Sequence, residues 1–390
     1  MKKIIVTLAY IATLLNVMAC SDPKEEIIVG GNTPNYSEYE EWSATTLNAI
    51  DRDLKIAGTN SYYENQNRDH ISFIWGNIFH LYAYVQGTGL NSEMWKQNLV
   101  QCIANSDSYW TTGYNNKNGY ATLPTPVGTN PDRYYDENGW MSIGLSDAYM
   151  VTKNEDYLEK AKNALAFTLS GEDDVLGGGI YFQETFSMFK PQKNTICSAV
   201  AIIAAMKLYG ITKDELYLET AKRLSTWTTE NLLDRSDNLL WDAKMVSDGS
   251  INKTKWSYNA GFMVQAWLLL YKSTNDKAYL NQAISTLASA ESKWFNGKSG
   301  ALNDPGYFAF TIIDAWYAFF ELTGDKSYLS KAFLATEFVN NHLKDANGRY
   351  PEHWGTATSE PLKAWDLRFS TVVAYTYMKA AAYKEKFNSL

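Results

Sequence analysis

"YMVTKNEDYLEKA", Tyr149 to Ala161, recurs three times with changed letters: "YGITKDELYLETA" from Tyr209, "YKSTNDKAYLNQA" from Tyr271 and "FELTGDKSYLSKA" from Phe320. Each copy has an aromatic, Thr three positions on, Tyr eight on, then Leu, then Ala twelve on. The pattern describes a helix that ends, a polar turn, and a second helix with Asp or Glu near its start. Each copy is therefore the bend of a helical hairpin. A recurrence every 50 to 60 residues or so is that of a helical repeat.

Working outward from these bends, apolar periodicity predicts twelve helices, at about 39–56, 70–86, 91–106, 137–152, 155–169, 194–210, 214–230, 256–273, 276–290, 306–323, 326–342 and 364–385. The even-numbered ones are apolar nearly all round, as in "ICSAVAIIAAMKLY" and "YFAFTIIDAWYAFF". The odd-numbered ones carry one apolar stripe and a charged face, as in "DYLEKAKNALAFTLS". Helices without a polar face belong inside, and amphipathic ones outside. Six inner and six outer helices in alternation make an all-α, six-hairpin (α/α)6 toroid. An open α-solenoid is the competing architecture, and six hairpins is the number that closes. Connections after inner helices are short. Those before them are long, so all long loops gather at one end, where a rigid scaffold usually displays its functional groups.

The chain opens "MKKIIVTLAYIATLLNVMAC". Two lysines, a short apolar run and a small residue before Cys20 form a secretory signal. The order Val17-Met18-Ala19-Cys20 resembles a bacterial lipobox, which implies cleavage before Cys20 and its lipidation. The expected organisation is a signal peptide over 1–19, a lipid-anchored flexible tether over 20–37 and one catalytic domain over 38–390. Membrane contact is then through the anchor alone, and the protein is expected at the outer membrane or cell surface after export across the inner membrane. The formal charge of −8 becomes −10 when Lys2 and Lys3 leave with the signal. An acidic chain with no basic cluster excludes nucleic acid as a partner. Cys102 and Cys197 lie in apolar helical patterns and read as buried thiols. The four His show no ligand spacing, so neither a metal nor another cofactor is expected.

The long loops are rich in aromatics, which with 13 Trp and 27 Tyr make up 14% of the chain together with Phe. Flat rings flanked by amides and carboxylates suit sugar rings, which have apolar faces and polar edges. In the longest loop, "RYYDENGWM" (Arg133–Met141) places Asp136 beside Glu137 at an inner-helix start. Glycoside hydrolysis needs two carboxyls, about 5–5.5 Å apart for retention or 6.5 Å and more for inversion. Neighbouring residues have Cα atoms about 3.8 Å apart, and diverging side chains reach the shorter range. Mutual repulsion and burial raise the proton affinity of one member, as a general acid requires.

These stretches resemble glycoside hydrolase family 76, the endo-α-1,6-mannanases. "YYDENGWM" aligns with the family's Asp-Asp pair, with Glu137 standing where the family has the second Asp. "GGGIYF" (Gly177–Phe182), "LLWDA" with Asp242, "KNTICS" (Lys193–Ser198) and "WSYNAG" (Trp256–Gly261) resemble further family motifs in the same order. The resemblance implies a retaining hydrolase of α-mannan acting as a monomer on a polysaccharide or oligosaccharide. It implies Asp136 as nucleophile and Glu137 as acid/base, with Tyr135, Trp140, Tyr181, Phe182, Lys193, Asn194, Asp242, Trp256, Tyr258, Asn259 and Trp354 around the substrate. A catalytically silent glycan-binding lipoprotein and a different (α/α)6 sugar-active enzyme are the alternatives.

Overall fold

The computed structural model describes residues 37–113, 116–124 and 132–388. The signal peptide, Cys20 and nearly all of the tether lie outside the described residues. Twelve α-helices are present: α1 Glu38–Leu54, α2 Ile74–Leu90, α3 Ser92–Ser106, α4 Tyr135–Thr152, α5 Glu155–Leu169, α6 Thr195–Thr212, α7 Glu215–Leu232, α8 Ser257–Thr274, α9 Lys277–Trp294, α10 Gly306–Thr323, α11 Lys326–Phe338 and α12 Leu367–Asn388.

The recurring bend has a physical basis in every copy. Thr152, Thr212, Thr274 and Thr323 each donate a hydroxyl proton to the carbonyl four residues back. Each hydroxyl also accepts the N–H two residues on, at 3.2–3.3 Å. The residue between takes a left-handed conformation, with φ +57° at Lys153, +61° at Lys213, +58° at Asn275 and +72° at Gly324. Asn154, Asp214, Asp276 and Asp325 then cap the next helix with a side-chain oxygen. Such caps stabilise a helix by about 1 kcal/mol each, and the left-handed residue stops the one before it.

The even helices form a closed ring. α2 packs on α4, α4 on α6, α6 on α8, α8 on α10, α10 on α12, and α12 returns to α2. Each odd helix from α3 to α11 packs on the even helix before it, and α1 packs on α12. The inner helices are buried all round; in α6 every residue from Thr195 to Met206 is buried. The outer helix α7 buries only one stripe, through Leu218, Ala221, Leu224 and Trp227. This is the (α/α)6 toroid.

All the long connections meet at the end where the inner helices begin. They carry short antiparallel pairings that their two- and three-residue lengths hid from any periodicity. Trp110–Thr112 pairs with Asn118–Tyr120, and Leu233–Asp234 with Leu239–Leu240. Gln192–Asn194 pairs with Ala243–Met245, which pairs with Ile251–Asn252. Helix boundaries shift by up to four residues from expectation, and two of the shifts have a visible cause. α2 begins at Ile74 and not near residue 70, because Ser72 donates its N–H to Tyr62 and Ile71 bridges Tyr63, holding the chain extended. α11 stops at Phe338, and the chain widens into a π-turn over Val339–Leu343.

Candidate active site

The two ends of the toroid differ in electrostatics. At the closed-bend end a cavity of about 800 Å³ opens between the last turns of the inner helices. There the acids are paired: Lys207 meets Asp147 at 2.5 Å, Lys379 meets Asp314 at 2.8 Å, and Lys386 meets Glu321 at 2.9 Å. At the mouth the balance is acidic. Inner helices α2, α4, α6, α8 and α10 have no side chain of their own capping residue on their first N–H groups. Carboxylates arrive from neighbouring loops instead. Glu64 accepts the Phe73 N–H at 2.8 Å, and Asp304 accepts that of Ser257 at 2.8 Å. The positive ends of the helix dipoles thus gather anions in the mouth. Among the described residues, the buried polar atoms without protein partners include several at the mouth: Asp136 Oδ1, Glu137 Oε2, Asn194 Oδ1, Asn259 Oδ1 and Ser198 Oγ. Native proteins rarely leave such atoms unsatisfied except where a ligand binds. The mouth is therefore the candidate active site, although the 800 Å³ cavity lies at the other end.

Asp136 and Glu137 are the second and third residues of α4. The approach to them is rigid. The Arg133 guanidinium makes a buried two-pronged pair with Glu184, at 2.7 and 2.6 Å, and lies 4.3 Å over the Phe167 ring. Asn138 holds the other side, donating to Tyr120 and Tyr134 carbonyls at 2.9 Å and accepting the Tyr120 N–H at 2.7 Å. Burial pushes the Asp136 carboxyl up to about 7; backbone N–H groups of Asp136 and Glu137 hold it down, and the Asp242 charge adds to the rise. Burial also raises Glu137 well above the carboxylate range, reinforced by the charges of Asp136 and Glu64 and opposed by Arg368. The two carboxyls face different surroundings: Asp136 looks toward Asp242 and α6, Glu137 toward Glu64 and α12.

Several expected substrate contacts line the mouth. Asp242 accepts from Asn252 at 3.0 Å and from Asn259 at 3.4 Å, and burial lifts its carboxyl to about 6. Asn194 and Asn259 are buried with their amide oxygens unpaired. Tyr258 lies against Phe308 at 4.1 Å between ring centroids, and Trp256 at 5.5 Å. Tyr181 and Phe182 are partly exposed in the adjoining loop.

Four further expected contacts sit in packing positions in the structure. Tyr135 turns outward and stacks on Phe167 at 5.1 Å. Trp140 is 1% exposed within an aromatic plug of Phe79, Phe262 and Phe310 that floors the mouth. Trp354 is 1% exposed, and a Cβ at Gly306 would come within 2.2 Å of its Nε1. The Lys193 ammonium is sealed, with Asp173 Oδ1 and the carbonyls of Asp173, Val175 and Gly178 all within 3.1 Å to share its three protons. It pins the glycine loop in place. There Gly179, at φ +77°, lies where a Cβ would meet the Trp227 ring at 2.5 Å, so no other residue fits.

Sequence reading did not single out Glu64, Arg368, Trp75, Tyr307 or Phe308. Arg368 makes two 3.1 Å bonds to Asp366, reaches Glu64 at 3.5 Å, and lies 5.1 Å from both the Trp75 and Tyr307 rings. One signal was available. A cation in the first turn of an inner helix opposes the helix dipole, so it needs a special reason.

Asn194 tests whether the unpaired amides serve substrate. Its side chain makes no capping bond to α6. Asn194→Ala is expected to lower kcat/KM by roughly 10- to 100-fold, the scale of one or two lost hydrogen bonds. Its melting temperature should match the parent protein's. A loss of activity that merely followed a loss of melting temperature would make Asn194 a structural residue.

Comparison with known proteins bears on this geometry. The family model for glycosyl hydrolase family 76 matches residues 52–308. A family 76 α-mannanase of Bacteroides thetaiotaomicron, solved as its selenomethionine derivative, is 60% identical, with a TM-score of 0.89 over 90% of this chain and 98% of that one. An inactive variant of an α-1,6-mannanase of Salegentibacter sp., solved with α-1,6-mannotriose, is 20% identical, with a TM-score of 0.72 over 88% and 99% of the two chains; it shares the fold. A mannan endo-1,6-α-mannosidase of Saccharomyces cerevisiae is 27% identical over 133 residues, 32% of this chain and 28% of its own length. The matched regions span less than half of the length of the curated relatives.

Proposed function

Because the chain belongs to glycosyl hydrolase family 76, we propose that it is a retaining hydrolase that cuts the α-1,6-linked mannose backbone of α-mannan, with Asp136 as nucleophile and Glu137 as acid/base. The observation that carries this reading is the uneven environment of the pair. Asp136 meets two backbone N–H groups that favour its anion. Glu137 faces the charges of Asp136 and Glu64, which favour its acid form. The charge of Asp136 is among the causes that hold the proton on Glu137. That yields an ionised nucleophile beside a protonated acid near neutral pH, the division of labour a retaining glycosidase uses.

In the first step Asp136 attacks the anomeric carbon while Glu137 gives its proton to the glycosidic oxygen. The bond to the leaving sugar breaks and a mannosyl–Asp136 ester forms. In the second step the Glu137 carboxylate takes a proton from water, which attacks the same carbon and frees Asp136. Two inversions give net retention. The buried amides of Asn194 and Asn259 and the Asp242 carboxylate offer partners for sugar hydroxyls, and Trp256 and Tyr258 offer flat faces. An acidic mouth favours a neutral glycan over a polyanion. Release of shorter fragments from linear α-1,6-mannan tests the reading. Retention of mannan without any turnover would instead make the protein a silent binder.

The pH profile follows from the same pair. kcat/KM reports the free enzyme. It is expected to climb as pH rises toward about 7, where Asp136 loses its proton, and to fall at higher pH as Glu137 loses its own. The two limbs belong to the pair jointly. An acid limb near the ordinary carboxylate value of about 4 would sink the claim that burial tunes these groups.

The segment ending at Cys20 supports a location at the cell envelope, with lipidated Cys20 as the anchor and the domain working as a monomer. Cys20→Ser should move the protein from the detergent to the aqueous phase on Triton X-114 partition. An unchanged detergent fraction would discount the anchor.

A further inference from the structure

Three of the larger exposed apolar side chains of the described residues lie in one short segment: Phe186 and Phe189 at 40% exposure and Met188 at 76%. The segment is built to keep them there. Gln183, itself 1% exposed, accepts the N–H groups of Met188 and Phe189 at 3.1 and 3.0 Å. Its amide nitrogen lies 3.2 Å from the Tyr134 hydroxyl and 3.1 Å from the Ser187 hydroxyl, and within hydrogen-bond reach of Asp132. Phe186 is held at φ +57°, a conformation an aromatic residue adopts only when its surroundings impose it. A buried amide hub and a strained backbone thus present apolar surface to solvent, against the usual direction of folding.

The patch is continuous with the mouth. The Tyr135 N–H donates to the Phe182 carbonyl at 3.1 Å, and the Glu184 N–H to that of Arg133 at 3.0 Å. The segment is therefore bonded to the residues that lead into Asp136. The rings form a connected surface: Tyr134 to Phe182 at 5.2 Å, Phe182 to Phe189 at 5.1 Å, and Tyr181 to Phe186 at 5.2 Å. The Tyr134 hydroxyl touches the Met188 sulfur at 3.4 Å. The phenylalanine rings carry no hydrogen-bonding groups, and the two tyrosine hydroxyls are already engaged, Tyr181 with Asp173 and Tyr134 with Gln183. Such a surface suits the C–H faces of neutral sugar rings entering or leaving the mouth.

We propose that Phe186, Met188 and Phe189 form a rim subsite that stacks against mannosyl units beyond those at the catalytic pair, giving the protein its preference for polymer over short substrates. This rests on the mannanase reading. The occupant is a neutral hexose chain, and continuity with the mouth is what selects it over a membrane or a protein partner.

The test uses the full chain carrying Met188→Ser and Phe189→Ser together. Met188→Ser alone, at so exposed a position, serves if the double variant misfolds. The readout is the ratio of kcat/KM on linear α-1,6-mannan to kcat/KM on an aryl α-mannoside. That ratio is expected to fall at least 5-fold, carried by KM on the polymer. A second arm places the same substitutions in an Asp136→Asn background and reads retention in native gels containing α-mannan. Weakened retention supports the subsite even if no α-mannan is hydrolysed, which separates this proposal from the enzymatic one. An unmoved ratio with unmoved retention overturns it. Lost co-sedimentation with phosphatidylglycerol vesicles, with the mannan readouts unmoved, also overturns it and makes the patch a membrane contact.

Discussion

Asp136→Asn is expected to lower turnover of linear α-1,6-mannan by roughly 10⁴-fold or more, the scale seen when a nucleophile is removed. The amide keeps the shape of the carboxyl and loses the charge, so retention on mannan should persist. Stability gives an independent reading of the same substitution. Asp136 titrates near 7 in the folded protein and near 4 when unfolded. The folded state binds the extra proton over that interval, so the parent protein's stability falls as pH rises from about 4 to about 7. The Asn variant carries no such term. It should melt at an equal or higher temperature than the parent at pH 8, and the difference should shrink toward pH 4. An inactive variant that melts lower throughout would show only that the fold had been damaged.

Glu137→Gln is expected to cost roughly 10²- to 10⁴-fold on mannan, the usual contribution of general acid catalysis. Aryl mannosides whose leaving group departs without a proton should be spared in the first step. They should accumulate the mannosyl–Asp136 ester, because the second step still needs a base. An initial burst of released phenol is the signature. Equal losses on activated and natural substrates would remove Glu137 from the acid/base role. Glu137→Asp shortens the side chain by one methylene and moves the carboxyl by about one bond length. A displacement of ~1 Å can cost on the order of 10²-fold, so a mouth shaped around Glu should lose activity.

The fold was readable because its bend is a local device. Thr152 and Asn154, and their counterparts in three further copies, bond within four residues of themselves. Such chemistry is visible in a short window of sequence. The mouth was readable in part for the same reason, since long loops and an acidic pair at a helix start are local facts. What was not readable is where neighbours along the chain point. Successive helical residues turn by about 100°. Tyr135 therefore faces Phe167 on the outside, while Asp136 and Glu137 share the inner side. Trp140, one turn further, drops into the floor. Lys193 resembles a cleft cation in sequence, but its partners at 173–178 come from a loop whose path only the fold determines. Glu64 and Arg368 are some 300 residues apart in the chain and meet only because α12 closes the ring onto α2.

The central claim is that two adjacent carboxyls of unequal proton affinity hydrolyse α-mannan through a covalent intermediate. Proton NMR of the anomeric signals during digestion of linear α-1,6-mannan tests it most directly. The prediction is that the newly formed reducing ends appear first as the α-anomer and drift to the equilibrium mixture afterwards by mutarotation. First appearance of the β-anomer, or no new reducing ends at all, would contradict it.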